Sequence, residues 1–461
     1  METSNARPAA TLAEVEDALL SRWPETRLEP SLDRIRAFVE LLGDPQHAAP
    51  LLHLTGTNGK TTTSRLVDTL LRALGLRTGR FTSPHLESIT DRISIDGEPL
   101  TPARFVEVFN DVAPYTHLVD ASEEHPLSFF EAVVGMAYAA FADAPVDVAI
   151  VEVGMGGSWD ATNVADARVA IVTPIDVDHA RYLGARPADI AVEKAGIIKP
   201  GTIVVSAAQA PEVLAVLRDR VQEVGASLLV AGQDFGVEHR VAAYGGQQMR
   251  LGGLHATYDE VFLPLYGAHQ AENAALALAA VEAFVGRALD GEVVEEAFGQ
   301  ADSPGRLEVV RTSPTVLLDA AHNPHGARAL VAALEDSFIL SPLIGVVGVM
   351  VDKDVEGLLE VLEPSLAHIV CTQASTDRAV PAEELAETAR GLFGSDRVSV
   401  ASDLADAIDQ AAALAEAGGV LGEAIGSGGV LVTGSVVTVG EARGLLRGQD
   451  RQRRQEGNPR A

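Results

Sequence analysis

The run Gly56-Thr57-Asn58-Gly59-Lys60-Thr61 has the residue types of a phosphate-binding loop. Its glycines let backbone amides close on phosphate oxygens, and a helix starting there adds partial positive charge from its N-terminus. Lys60 then sits on the β- and γ-phosphates of a nucleotide, with the Thr61 hydroxyl on Mg²⁺. The usual pattern, G-x-x-x-x-G-K-[ST], has Leu54 where its first glycine belongs, so Gly56 opens a shorter loop. Lys60 is one of four lysines, with Lys194, Lys199 and Lys353, against 31 arginines (35 basic residues less four). Arg is a planar, permanently charged fork, whereas Lys is a compact charge that can lose its proton and act as an amine. A lysine kept in so arginine-rich a chain marks a place where a guanidinium does not serve.

Further groups fall where a cleft would use them. Glu152 ends the apolar run Asp147–Val151 and precedes Gly154-Met155-Gly156-Gly157, the place for a magnesium ligand at a sheet edge. Asp178-His179 follows another apolar run, and His179 reads equally as a ligand or as a helix cap, because hard cations prefer oxygen. Lys194, beside Glu193 on a helix over residues 188–196, has a salt-bridged surface position as its plain chemical reading. Asp319 and His322 lie where a later strand ends, and Arg306 is placed to clamp a phosphate with two parallel hydrogen bonds.

These groups need elements to hold them. A polar lead-in over residues 1–49, with a helical pattern at Leu32, Ile35, Val39 and Leu42, precedes a strand at Pro50–Thr55, the loop, and a helix through Leu66, Leu70, Leu71 and Leu74. Strands follow at Val146–Val153, Val169–Thr173 and Thr202–Ser206 with helices between, which specifies an α/β fold: a P-loop, doubly wound, mostly parallel sheet with helices on both faces. Phe235–Leu265 alternates in short runs broken by Gly-Gly pairs, the pattern of a small antiparallel insertion. After a helix at Gln270–Val285, Ser303-Pro304-Gly305 reads as a hinge. The rhythm restarts at Val316–Asp319, Ile344–Val349, His368–Thr372, Val398–Val400 and Val430–Thr433, giving a smaller Rossmann-like α/β C-terminal domain. The expected division is 1–302, 303–448 and a disordered tail over 449–461.

Length, 461 residues, is too great for one ordinary core. A formal charge of −30 argues against nucleic acid and against an anionic membrane face. The lone Cys371, inside an apolar run, excludes an internal disulfide framework and reads as a packing residue in a reducing compartment. No apolar stretch suits a signal peptide or a bilayer span, so the expectation is a soluble cytoplasmic protein.

Several short motifs occur in order: Thr55–Thr62, Thr82-Ser83-Pro84-His85-Leu86, Val151–Gly157, Asp160-Ala161-Thr162-Asn163, Asp178-His179, Glu193-Lys194-Ala195-Gly196-Ile197, Pro304-Gly305-Arg306-Leu307-Glu308, Asp319–Pro324 and Thr433-Gly434-Ser435. Together, over about residues 28–445, they closely resemble the folylpolyglutamate synthase/dihydrofolate synthase family of the Mur ligase superfamily. The resemblance implies ATP-dependent amide formation through an acyl phosphate, with reduced folate, dihydropteroate, L-glutamate and ATP as small-molecule partners. It implies ATP contacts from Gly56, Thr57, Asn58, Gly59, Lys60, Thr61, Thr62, Asn273, Arg306, Asp319 and His322. Thr61, Ser83 and Glu152 would ligate one Mg²⁺ and His179 a second, with Lys194 carried as a carbamate that also meets metal. Lys194, His179 and Lys60 form the implied catalytic set, and Ser83, Pro84, Phe129, Phe130, Glu131, Trp159, Asp160 and Ala161 the implied folate site. The family also leans towards monomers.

Three positions depart from the family pattern. Gly59-Lys60-Thr61-Thr62 stands where Gly-Lys-Gly-Ser is common, though either hydroxyl can serve Mg²⁺. Ser158-Trp159 replaces a usual Arg-Leu, removing a positive charge and adding an aromatic near the folate site, and Ala320 replaces a usual Gly. A peptidoglycan-type amino-acid ligase is the nearest rival, but the loop lies too near the N-terminus for a full sugar-nucleotide domain. A nucleotide-driven switch would explain the phosphate loop and Glu152 but not Asp319 and Arg306.

Overall fold

The computed structural model describes residues 8–24, 30–417 and 428–455. Eight strands form the first sheet: β1 (Leu51–Thr55), β2 (Thr78–Phe81), β3 (Ile93–Ile95), β4 (Glu98–Pro99), β5 (Val148–Glu152), β6 (Val169–Val172), β7 (Ile203–Ser206) and β8 (Ser227–Val230), in the order β4-β3-β2-β5-β1-β6-β7-β8. From β2 to β8 the pairing is parallel, and β3 and β4 turn antiparallel at one edge. Its central strands are buried throughout, as continuous Val, Ile and Leu runs must be when helices cover both faces. The chain leaves β1 towards β2 on one side and later fills β6, β7 and β8 on the other. Such a reversal opens a crevice beyond the carboxyl ends of the strands, and the phosphate loop occupies it. Parallel register sets Leu54 beside Glu152, which brings the acid to the loop's edge.

The helix Lys60–Ala73 begins at the loop and buries Leu66, Val67, Leu70 and Leu71 at helical spacing. Against it lies Ala268–Val285, a helix buried on nearly every side and rich in alanine, clamped between the sheet and a three-stranded antiparallel insertion. That insertion comprises β9 (Gly236–Ala243), β10 (Gly246–Gly252) and β11 (Thr257–Leu263), where short alternating runs place it.

Residues 300–307 connect to the second sheet. It contains β12 (Glu308–Thr312), β13 (Thr315–Leu318), β14 (Leu343–Val347), β15 (His368–Cys371), β16 (Val398–Val400) and β17 (Gly429–Thr433), in the order β12-β13-β17-β14-β15-β16. Cys371 is buried in β15, and its thiol is pushed up to about 12 by burial, so it is a packing group. The strands that sequence periodicity misses are short or polar. β2 carries the buried Arg80, and β12 is an antiparallel edge with half-exposed residues. The last helix runs from Val436 to Gln455, into the segment expected as a tail from 449, while 456–461 lie outside the described residues.

Candidate active site

Close backbone approach shapes the phosphate loop. Gly56 has φ 143°, and a Cβ there would lie 1.9 Å from Thr173 Oγ1. Gly59 caps the following helix at φ 88°, where a Cβ would meet Asn273 Oδ1 at 2.7 Å. Both places demand glycine. Lys60 Nζ donates to the carbonyls of Gly56 (3.0 Å) and Thr57 (3.2 Å). Thr61 Oγ1 donates to both Glu152 oxygens, at 3.0 and 3.1 Å. Burial pushes the Glu152 carboxyl up, against the opposing pull of Lys60, the Thr61 hydrogen bond and Arg306. Thr62 Oγ1 lies 2.8 Å from Ser303 Oγ, tying the helix start to the connector.

Lys194 departs from its plain reading. It is 5% exposed, not a surface residue, and its Nζ donates to Gly56 O at 2.8 Å rather than pairing with Glu193. The cause is tight packing: a Cβ at Gly157 would fall 2.8 Å from Lys194 O, so the helix Pro187–Lys194 points its last residue beneath the loop. Burial, with Lys60 adding repulsion, brings the Lys194 amine down to about 7. Lys60 is likewise lowered by burial, though Glu152 and Asp178 oppose this. Two lysines thus converge on one carbonyl, each losing its proton more readily than a lysine in water.

His179 takes the N-cap position of the short helix Ala180–Leu183, with φ 51°, but its side chain caps nothing. Burial, then Lys353, brings the imidazole down to about 4, so it is neutral at pH 7. Its Nδ1 is buried without a hydrogen-bond partner, Asp352 Oδ2 standing 3.7 Å away. A neutral imidazole with an orphaned nitrogen fits a metal ligand better than a cap. Thr61 and Glu152 offer oxygen donors that suit Mg²⁺, which takes one or two carboxylates and fills its shell with phosphate and water. Among the described residues no three His, Cys, Asp or Glu side chains gather as a metal site.

The second unit closes the same cleft. Asp178 Oδ1 accepts from Lys353 Nζ at 2.6 Å, and its Oδ2 faces His322 Nε2 at 3.3 Å and Asn323 Nδ2 at 3.0 Å. Burial alone would raise this carboxyl, but the His322 hydrogen bond and the Lys353 charge hold it well below the carboxylate range. Asn58 reaches across to Asn323 Oδ1 (3.1 Å) and His325 Nδ1 (2.8 Å). Asp319 accepts the amides of Leu307 and Ala321, both at 2.8 Å, and the half-buried Arg306 supplies the positive charge that opposes the rise of its carboxyl. Gly56 to Thr62, Ser83, Glu152, His179, Lys194, Asn273, Arg306, Asp319 and His322 all line this one cavity. Lys353 and Asp178 escaped assignment from sequence, although Lys353 was one of the four lysines.

A second cavity opens through Ser83, Pro84, Gly154 and Met155 and is walled by Phe130, Trp159 and Tyr182. Glu131, Asp160 and Ala161 line it, but Phe129 does not. Phe129 begins the helix Phe129–Asp143 and turns into the core, with the Arg92 guanidinium 4.9 Å over its ring. Consecutive helical residues point about 100° apart, so only one of the two phenylalanines can face the cavity. The two acids are engaged within the protein. Glu131 accepts from Arg34 Nε (3.1 Å) and Ser128 N (2.7 Å), and Asp160 accepts from the amides of Gly154 (3.0 Å), Met155 (2.9 Å) and Thr162 (2.9 Å). Asp160 therefore holds the glycine loop after β5 in shape.

Comparison with known proteins agrees with this geometry. Residues 54–281 match the Mur ligase middle domain and residues 305–436 the Mur ligase glutamate ligase domain. The chain is 49% identical to dihydrofolate synthase/folylpolyglutamate synthase of Mycobacterium tuberculosis, over 96% of this chain and 95% of that one. Its Escherichia coli counterpart is 33% identical over 82% and 86% of the two chains. Among solved structures, M. tuberculosis folylpolyglutamate synthase complexed with ADP superposes with a TM-score of 0.92 at 49% identity, covering 94% of this chain and 98% of that one. E. coli FolC in complex with DHPP and ADP gives 0.83 at 30% identity, covering 97% and 100%.

Proposed function

The chain belongs to the dihydrofolate synthase/folylpolyglutamate synthase family of Mur ligases, and on that premise we propose how its cleft performs the reaction. It is an ATP-dependent acid–amino-acid ligase that joins L-glutamate to a folate carboxyl group, and dihydropteroate is an acid of the same class. The peptidoglycan reading falls away, because relatives of matching length carry folate names.

A carboxylate is a poor acyl donor until one oxygen becomes part of a leaving group. A carboxylate oxygen attacks the γ-phosphorus of ATP, ADP departs, and an acyl phosphate forms. The glutamate amine then attacks the carbonyl carbon, sheds a proton, and phosphate leaves as the C–O bond breaks. The protein's work is alignment and charge neutralisation. Lys60 exchanges the Gly56 and Thr57 carbonyls for phosphate oxygens, and Arg306 approaches the same phosphates from the second unit. Mg²⁺, when bound, neutralises phosphate charge, with Thr61, Glu152 and Ser83 holding one ion and His179 with a Lys194 carbamate a second. A neutral Lys194 amine can add to CO₂, forming an N–C bond and releasing one proton. Phe130 and Trp159 stack on the folate ring system in the adjoining cavity. Residues 1–302 and 303–448 serve as the two working units of a cytoplasmic monomer, its cleft complete within one chain.

One observation carries this reading: a cavity with a phosphate loop shares Ser83, Pro84, Gly154 and Met155 with an aromatic-walled one. The test is mass spectrometry of products formed from ATP, L-glutamate and either dihydropteroate or tetrahydrofolate. Products heavier by one glutamate, with phosphate released only when acid and amine are both present, are expected. ATP hydrolysis independent of both would leave a nucleotide switch instead. Lys194→Arg, which cannot form a carbamate, should bind ADP but not turn over, and normal turnover would remove that part of the mechanism.

A further inference from the structure

Ser83 and Pro84 reach both cavities, and their own unit holds the loop beside them, where Arg92 Nε donates to His85 Nδ1 at 3.0 Å. The loop's far end is fixed locally, where the Asp91 carboxylate accepts the amides of Glu87 (3.0 Å) and Ser88 (3.1 Å). Between these lies a stretch docked on the other unit. Leu86 packs against the core cluster of Val316, Leu318, Val439 and Ala442. A Cβ at Gly440, on the last helix, would fall 1.8 Å from Leu86 O, and a Cβ at Gly305 would lie 3.2 Å from Leu86 Cδ1. Arg443, one turn on, pairs with Glu87 from the first unit, while its Nε donates to Glu308 of the second at 2.8 Å. Its side chain is 8% exposed, so one nearly dry guanidinium joins carboxylates of both units.

We propose that Gly440 and Arg443, on the terminal helix of the second unit, are positioning residues for Ser83 and Pro84. Neither lines either of these two cavities, so each acts through the loop. Glycine at 440 admits the Leu86 carbonyl to the helix surface, and Arg443 fixes the loop's end by charge. The second unit thereby sets the geometry of a segment that faces both the phosphates and the folate acid. This rests on the functional reading of the two cavities given above.

The experiment compares full-length wild type with Glu87→Gln, Arg443→Ala, Arg443→Lys and the double variant Glu87→Gln/Arg443→Ala. Hydrogen exchange reads residues 82–92 without substrate, and steady-state kinetics vary the folate acid and ATP separately. Faster exchange over 82–92 is expected, with kcat/KM for the folate acid down about 10- to 100-fold, the scale of a misplaced reacting group. The double variant should be no worse than the poorer single one, and Arg443→Lys should recover part of the loss. Unchanged exchange over 82–92 in folded variants would overturn the proposal, as would faster exchange with unaltered kinetics or additive losses. Glu87→Gln leaves the Arg443–Glu308 pair intact, so it decides the matter should Arg443→Ala fail to fold. A wild type unable to ligate glutamate would instead strike at the functional reading, since exchange reports the clamp without substrate.

Discussion

Replacing Lys194 by methionine should stabilise the protein while abolishing ligation. Methionine is unbranched like lysine and one atom shorter, so most of the packing beneath the loop is kept. Gly56 O loses its bond from Lys194 but keeps the one from Lys60 at 3.0 Å, so the deletion costs about 1 kcal/mol. Against this stands the cost of holding a lysine whose amine falls from 10.5 to about 7, a difference of 3.5 units. At about 1.4 kcal/mol per unit this is about 5 kcal/mol well below pH 7, and about 4 kcal/mol at pH 7, where half the amines are already neutral. The net gain at neutral pH is about 3 kcal/mol. If the first unit, about 300 residues, melts as one body, its midpoint should rise by about 5 °C. The sign follows from proton counting. Between pH 7 and 10.5 the unfolded chain keeps a proton that the folded chain has shed, so wild-type stability climbs across that window. The gap between the proteins should be widest below pH 7 and close towards pH 10.5. Calorimetric melts from pH 6 to 10 in CO₂-free buffer would read it. A destabilised variant, or a gap constant with pH, would refute the reasoning.

Other outcomes can be checked with the same protein. Gly59→Ala forces a side chain into the left-handed region and towards Asn273 Oδ1, a strain of about 1–2 kcal/mol that should weaken ADP binding about 10-fold by titration calorimetry. Unaltered affinity would mean that the loop relaxes freely. Arg306 has only the Gly305 carbonyl as a hydrogen-bond partner of its side chain among the described residues, at 3.2 Å. Arg306→Ala should therefore barely move the melting midpoint yet cut kcat/KM for ATP about 10- to 100-fold, the worth of a charged hydrogen bond of about 1.5–3 kcal/mol. Equal kinetics would place it outside phosphate binding. Asp178→Asn strands the nearly buried Lys353 ammonium, a loss of about 3–5 kcal/mol between the units. Small-angle scattering should then record a larger radius, and an unchanged radius with full activity would deny the carboxylate a closing role.

Much of the site could be read from the chain because parallel sheets present their ligands at one edge. Glu152, Asp319 and the phosphate loop each follow an apolar run, and register then brings them together. What stayed hidden depended on distance or on phase. Lys353 meets Asp178 across 175 positions, a pairing no local pattern encodes. Phe129 and Phe130 are alike as letters, and only the docking of their helix decides which faces the cavity. The carboxylates of Asp160 and Glu131 looked free for substrate, but their own neighbours consume them. Lys194 looked exposed because a run of eight residues does not reveal which end is driven under a loop.

The alanine-rich helix Ala268–Val285 limits what can change behind the nucleotide cradle. From Asn273 to Phe284 every residue is buried, so a heavier replacement at one of the alanines there has little room. Asn273 rides on this beam and abuts Gly59, which backs the nucleotide cradle with a fully buried stretch of helix. A change in the Trp159 wall of the second cavity leaves this helix alone, whereas one at Asn273 or at the alanines behind it is felt at Gly59.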